Sequence, residues 1–471
     1  MGSRWLSKRA ITTTQTVIII VIIVVAAGVG AYYATLPGPT TTSTTTATTI
    51  AATTTTTAPT TTSTSTTTTT LPKPKFKIAV VSDVGGRGDL AFNDMGFKGG
   101  DEAARDFGIE SVELISNVAA DRLPNLRLAA RDPDVKLIVA VGFLHSFNLP
   151  VVAKEFPDKN FAGIDTFAQA LVNVTLPNVL DIVYEEHKGS AIVGALGAFL
   201  AAHYNKSYIG GVFGEEIPPL WKFEIGYKWG VDWAANWTRQ NRPELANVGI
   251  FATPRNQRVL CTYTGTFSDI TKGFLAAVPM YEKGAVAVYN IAGPLGIGIN
   301  QAVQDIALTK GLARGPPFWI GVDADQDWIN PGFVIASMMK RVDKGVYFAA
   351  KSQVDGTFRD LVTQTKGTIT LGIGTTVAGQ LFEGISVSTL DDLATFIQFG
   401  IDAEKLSGRK ILPFTPEQTA ALVKEMRDAQ PSWIWQAVAE LEAKIRSGEV
   451  IVPAVQTRDA INLWRGIYGP C

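Results

Sequence analysis

The chain has 471 residues, room for two or three domains of ordinary size, with 42 basic against 43 acidic side chains. Near-neutrality without a basic stripe argues against a nucleic-acid partner. Two cysteines, Cys261 and Cys471, exclude a disulfide-dense scaffold and CxxC metal sites, and the scattered His145, His187 and His203 lack ligand spacing, so neither metal nor cofactor is expected.

From Ala10 to Pro72 there is no charged residue. Val17 to Leu36 is a near-continuous apolar run, and twenty helical residues span about 30 Å, the thickness of a bilayer core. The run exceeds the ~7–15 residues of a signal-peptide core, and Arg4, Lys8 and Arg9 precede it. These features predict a single-pass anchor with the remainder outside the cytoplasm. Lys8-Arg9-Ala10-Ile11-Thr12 resembles the processing site of prepilin-like signal peptides, whose cleavage leaves the apolar helix in place. No cysteine follows the run, so a bacterial-type lipid anchor is not expected. Residues 40–70 hold 25 Ser or Thr in 31 positions, the composition of an unfolded, O-glycosylated stalk.

After the stalk, short β-branched runs alternate with helical stretches. Phe76–Asp83, Lys136–Gly142, Phe161–Asp165, Tyr208–Phe213, Ala285–Tyr289 and Phe318–Asp323 read as buried parallel strands. Between them Gly96–Phe107, Ser190–Tyr204 and Lys222–Trp237 read as helices, and Pro416–Glu449 as two more. Ser190–Tyr204 is strongly apolar but too short to span a bilayer, so a packed helix is expected. The alternation means α/β with parallel sheets. In such sheets ligands sit beyond the carboxyl ends of the strands, where this chain carries Asp83, Asp165 and Asp323.

Gly86-Arg-Gly88-Asp-Leu-Ala91 fits a GxGxxA pattern, but Asp89 would face the pyrophosphate, which argues against a dinucleotide. Gly293-Pro-Leu-Gly296-Ile-Gly298 has Gln301 where the last glycine belongs. There is no Walker sequence, nucleophile elbow or Cys/His nucleophile, so strand-end aspartates suit binding rather than catalysis, and no enzyme is expected. The triplet Arg87-Gly88-Asp89 and the stalk leave open a surface structural or adhesive protein. Asn173, Asn205 and Asn236 open N-glycosylation sequons, and export would permit Cys261 and Cys471 to pair.

The blocks Ser82–Asn93, Ile217–Tyr227, Gly293–Gly296, Gly321–Gln326 and Ser337–Asp343 resemble the basic membrane protein family, which includes purine nucleoside receptors of ABC importers. They occur in the family's order over residues 76–345, with a weaker match at Lys444–Pro453. The resemblance implies a type I periplasmic-binding-protein fold: two lobes, each a parallel sheet flanked by helices, with ligand between them. With the N-terminal segments read above, the chain divides into a basic leader (1–10), transmembrane helix (11–36), stalk (37–74) and bilobal domain (75–471). Lobe 1 would cover about 75–185 with a return near 330–365, and lobe 2 about 186–329 plus the C-terminal segments. Phe92 and Phe267 fall on the pair that sandwiches the base, Asp83 on the base-edge position, with Asn93 beside Phe92 in the same block. Asp323 falls on the ribose-hydroxyl position, Lys340 on the cleft lysine, Gly293 on a backbone contact, and Asp165 is a further cleft position. The implied partners are a nucleoside and the importer's permease and ATPase. Trp237–Cys261 departs from the pattern, as does His145-Ser146 at a cleft-side turn, leaving a sugar or other small solute as the alternative ligand.

Overall fold

A computed structural model describes residues 76–172 and 175–471. The expected anchor, the stalk and Asn173 lie outside these residues. Among the described residues, no helix is long and apolar enough to cross a membrane.

In lobe 1, β1 (Lys77–Val81), β2 (Glu110–Leu114), β3 (Val135–Val141), β4 (Asn160–Ile164) and β5 (Val179–Tyr184) pair in the order β2-β1-β3-β4-β5. All are parallel, and β11 (Thr368–Leu371) adds to β5 in the same sense. Lobe 2 repeats the order with β6 (Tyr208–Phe213), β7 (Val259–Tyr263), β8 (Ala285–Ile291), β9 (Phe318–Asp323) and β10 (Val334–Lys340), arranged β7-β6-β8-β9-β10. Its sixth strand, β14 (Ile385–Val387), runs antiparallel to β10. The topology is therefore duplicated although the sequence shows no internal repeat. Central strands such as β8 and β9 are buried at every position, because helices cover both faces.

The crossover helices of lobe 1 are α1 (Phe92–Phe107), α2 (Arg122–Arg131) and α3 (Leu149–Glu155). Lobe 2 has α4 (Glu186–His203), α5 (Pro218–Asn241), α6 (Ile270–Glu282) and α7 (Leu295–Lys310). The apolar helix α4 is buried along nearly its whole length and packs on α5. Their backbones meet so closely that a Cβ on Gly194 would strike the Tyr227 carbonyl, and one on Gly230 the Ala191 carbonyl.

Three crossings join the lobes. The chain leaves β5 for α4 at Tyr184–Glu186 and returns from β10 into α8 (Val342–Val354) at Lys340–Val342. After α9 (Phe358–Gln364) and β11 it crosses again, past the hairpin β12 (Thr375–Val377) and β13 (Gln380–Phe382), to β14. The return was expected near 330–365, but β10 belongs to the second sheet, and α8, α9 and β11 make up the return.

The tail adds α10 (Leu390–Ser407), α11 (Pro416–Asp428), α12 (Ser432–Ser447) and α13 (Arg458–Tyr468) to lobe 2. Thr389 and Thr415 form capping boxes with Asp392 and Gln418 at the first two starts. Trp433 of α12 stacks on Trp237 of α5 with ring centres 6.1 Å apart. Cys471 is disulfide-bonded to Cys261 on the edge strand β7, with Cα atoms 4.8 Å apart. Of the sequons, Asn205 is exposed in the turn after α4, whereas Asn236 lies within α5 with its Thr238 fully buried.

Candidate functional site

The carboxyl ends of both sheets face one another across a cavity of about 450 Å³. All eight residues singled out from the sequence line it: Asp83, Phe92, Asn93 and Asp165 from lobe 1, Phe267, Gly293 and Asp323 from lobe 2, and Lys340 at the crossing. Such residues gather because each follows a strand or opens a helix on the same side of its sheet.

The loop Gly86–Ala91 is a helix-capping loop. Asp89 Oδ2 accepts from the backbone N–H of Asn93 at 2.8 Å, and Oδ1 accepts from those of Ala91 and Asp94 at 3.0 and 3.1 Å. A carboxylate thus fills the helix N-terminus that a pyrophosphate would need, which disposes of the dinucleotide pattern. Burial and the neighbouring Asp94 push Asp89 up to about 7. Arg87 points away, paired with Glu113 and 4.5 Å from the Phe97 ring centre, while Asp89 is buried, so the Arg87-Gly88-Asp89 triplet is not displayed as an exposed epitope. Asn93 joins this loop to the strand end: its Nδ2 donates to Asp89 at 3.0 Å, and its Oδ1 accepts from Asp83 N–H at 3.1 Å. Gly293 has φ 48°, and its carbonyl accepts from Asn290 Nδ2 at 3.0 Å.

Charged groups divide into two sets. In the first, Arg122 Nε donates to Asp83 Oδ1 at 2.6 Å, and Glu215 of lobe 2 is raised by its burial and by Asp83. His145 lies beneath, its Nε2–H donating to the Ser82 carbonyl at 3.2 Å, and burial lowers its basicity, which favours a neutral ring.

The second set is a buried chain through the crossings. Lys340 pairs with Asp165 and, at 2.8 Å, with Glu186; Glu186 pairs at 2.5 Å with Lys222, which donates to the Tyr184 carbonyl at 2.6 Å. Burial alone would strip the Lys340 proton, but Asp165, Glu186 and Asp323 outweigh it and hold the ammonium charged. That ammonium sits 5.2 Å from the Phe92 ring centre and 5.7 Å from that of Phe223. Asp323 has no ion-pair partner among the described residues, and burial pushes its carboxyl up to about 8.

Sequence reasoning passed over Arg122, Glu186 and Lys222. Glu186 opens the helix directly after β5, a strand-end position like the three aspartates, which was the available signal. Arg122, the first residue of α2, and Lys222, buried within α5, follow no strand end and carry none.

Two duplicated α/β lobes, three crossings and a polar and aromatic cavity between strand ends define a bilobal small-solute-binding protein. The family model described as ABC transporter substrate-binding protein PnrA-like matches residues 76–237 and 247–381, and the chain belongs to this family. Membership assigns it a small-molecule ligand and, as partners, the permease and ATPase of an ABC transporter. An uncharacterized lipoprotein of Pyrococcus abyssi is 34% identical over 386 residues, covering 82% of this chain and 86% of that protein. The ABC transporter nucleoside-binding protein BmpA of Lactococcus lactis is 28% identical over 300 residues, covering 61% of this chain and 77% of that protein. A solved ABC transporter solute-binding protein of Aeropyrum pernix aligns with a TM-score of 0.68 at 31% identity, covering 82% of this chain and 96% of that one. The family match skips 238–246, within the stretch that departs from the pattern, where α5 ends and irregular turns begin.

Proposed function

We propose that this chain is the extracytoplasmic, membrane-tethered receptor of an ABC importer and that its ligand is a purine nucleoside, held with the base between Phe92 and Phe267 and the ribose on Asp323. The observation that carries this reading is the pair of aromatic rings, one from each lobe, lining a cavity that also contains strand-end carboxyls. Stacking a base on an aromatic face contributes about 1–3 kcal/mol, and two such faces suit a flat ligand. A buried carboxyl offers paired oxygens to vicinal hydroxyls. The cavity wall carries Asp83, Asp165 and Glu215 against Arg122 and Lys340, with Asp89 and Asp323 raised to about 7 and 8, and this absence of any cationic excess favours an uncharged nucleoside over its phosphate esters. The Lactococcus lactis relative is a nucleoside-binding protein by name, which agrees with this choice, and the Pyrococcus relatives are named lipoproteins, which agrees with the location. Titration calorimetry with purine nucleosides, pyrimidine nucleosides and sugars is the test, with micromolar or tighter binding of purine nucleosides expected. No nucleoside binding at millimolar concentration overturns the reading.

A further inference from the structure

Arg122 is the one cavity-lining cation that the nucleoside reading leaves without a task. It opens α2, directly after the turn Ala119–Asp121, and its side chain is 10% exposed. Both Nε and Nη2 stand 2.6 Å from a single oxygen, Oδ1 of Asp83, which also accepts from Val84 N–H at 2.7 Å. One flank of the guanidinium is therefore spent on Asp83. Its far end, with the N–H groups of Nη1, makes no hydrogen bond or ion pair among the described residues. Lys340 offers no substitute, being engaged by Asp165 and Glu186. Glu215 feels Arg122 across the cleft without forming an ion pair with it among the described residues.

We propose that Arg122 is a specificity-determining residue that makes the receptor select 6-oxopurine nucleosides, of the inosine and guanosine type, over adenosine. The inference rests on the nucleoside reading and refines it. A bare carboxylate at the base edge accepts only from N–H groups of the base, the N6 amino of adenine or the N1–H of a 6-oxopurine, and cannot read O6 or N7. Arg122 takes up Oδ1 of that carboxylate and presents donors beside it, so the site gains donors that Asp83 alone lacks. The two parallel donors of a guanidinium fork match the adjacent in-plane acceptors O6 and N7 of a 6-oxopurine. Adenine sets its N6 amino donor where O6 would be, so donor meets donor, and pyrimidines have no N7. The Asp83 pair fixes the plane of the fork, and the Asn93 bridge to the Asp83 backbone fixes the strand end that carries it.

Competition calorimetry on the whole chain with inosine, guanosine, 7-deazaguanosine and adenosine tests this. Inosine and guanosine are expected to bind roughly five- to 150-fold tighter than adenosine, the span of one bidentate base contact. Replacing N7 by carbon in 7-deazaguanosine is expected to cost about tenfold of guanosine's affinity. Arg122→Gln supplies one donor and one acceptor, the pattern that reads adenine, and is expected to shift the ratio toward adenosine. Equal affinity of the wild type for adenosine and inosine overturns the proposal, as does an unchanged ratio in folded Arg122→Gln. Should that variant fail to fold, the 7-deazaguanosine comparison on the wild type decides, and an affinity equal to that of guanosine overturns it. Binding without discrimination leaves the nucleoside reading standing; absence of binding by every nucleoside overturns both.

Discussion

Asp165 and Asp323 occupy the same place in two copies of one topology. Asp165 directly follows β4 and Asp323 ends β9, the fourth strand of each lobe, and both hold left-handed backbone, with φ 61° and 65°. That conformation is tolerated by aspartate more readily than by most residues, and it occurs where a site over-determines the chain. Their electrostatics nonetheless differ. Asp165 is paired with Lys340, whereas Asp323 has no such partner among the described residues and is held up to about 8 by burial.

The first prediction follows from that difference. An acid whose folded-state value lies above its ordinary 3.8 binds its proton more tightly when folded. Asp323 therefore lowers the stability of the ligand-free protein progressively as pH rises from about 4 to about 8, with no further change beyond. Asp323→Asn removes this contribution, so the unliganded variant is expected to have a higher Tm than wild type at pH 8 and a smaller difference at pH 5. Thermal scans across that range check it; equal pH dependence in both proteins contradicts the assignment. The same variant is expected to bind ribonucleosides more weakly, with a smaller loss for 2′-deoxyribonucleosides, which already lack one hydroxyl.

The aromatic pair gives a second prediction. Removing one ring by Phe92→Ala or Phe267→Ala is expected to weaken purine nucleoside binding by about 1–3 kcal/mol, roughly five- to 150-fold. Both side chains are only partly buried, so folding should survive, as circular dichroism can verify. Wild-type affinity in Phe267→Ala would remove the second face of the sandwich from the proposal.

Much of this arrangement was legible in the sequence, for a physical reason. Strands buried on both faces must be runs of apolar residues, so their ends, and the aspartates at them, stand out. The helices over 190–204 and 222–237 were visible but began too late by about one turn, because Glu186–Lys188 is polar and Pro218-Pro219 reads as a break although prolines suit a first helical turn. The edge strands β2 and β7 are not among the runs read as strands, and neither are the buried β5 and β10, whose runs are interrupted by Asp181 and by Ser337. Glu110–Leu114 mixes two charged residues and a serine with Val112 and Leu114 and is only partly covered, as is Val259–Tyr263. The Glu186 pairings with Lys222 and Lys340 were not readable, because three segments meet there only after the chain has crossed between lobes. Asn93 was identified as a cleft residue, but its capping bond to Asp89 becomes visible only once the loop is folded.

The buried chain of charges yields a third prediction. Lys340→Met leaves Asp165 buried without its cation, a change that typically costs about 3–5 kcal/mol, while Glu186 retains Lys222. Adding Asp165→Asn to Lys340→Met removes the stranded charge and is expected to restore most of the loss. Urea denaturation of the single and double variants measures this. A double variant less stable than Lys340→Met would mean that Asp165 is held by something other than the lysine.

The C-terminal strap separates stability from binding, and this is the last prediction. The disulfide joins residues 210 apart, and a loop of that length corresponds to about 5 kcal/mol of stabilisation by chain entropy, an upper figure since unfolded chains keep some order. Cys261→Ser with Cys471→Ser should therefore lower the unfolding free energy by several kcal/mol. Cys261 lies on β7, whose far end leads to Phe267, a path by which loss of the disulfide could reach the cavity. The local bonds argue otherwise. Tyr263 donates to the buried Glu224 at 2.9 Å, and Glu224 is held by Lys228 at 2.8 Å and by Arg465 Nη2 at 2.8 Å. Beyond Tyr263, Thr264 N–H and Gly265 N–H donate to the carbonyls of Phe213 and Gly214 at 2.9 and 3.0 Å. Through Thr264 and Gly265 the Phe267 loop is tied to β6 without the tail, whereas the Tyr263–Glu224 bond also draws on Arg465 of α13. Nucleoside affinity in the double serine variant is expected within about twofold of wild type at a temperature where both are folded, because no contact to the cavity is lost. Chemical denaturation paired with calorimetry reads both quantities, and a tenfold weaker affinity with unchanged stability would reverse the assignment, making the strap a support of the site rather than of the fold.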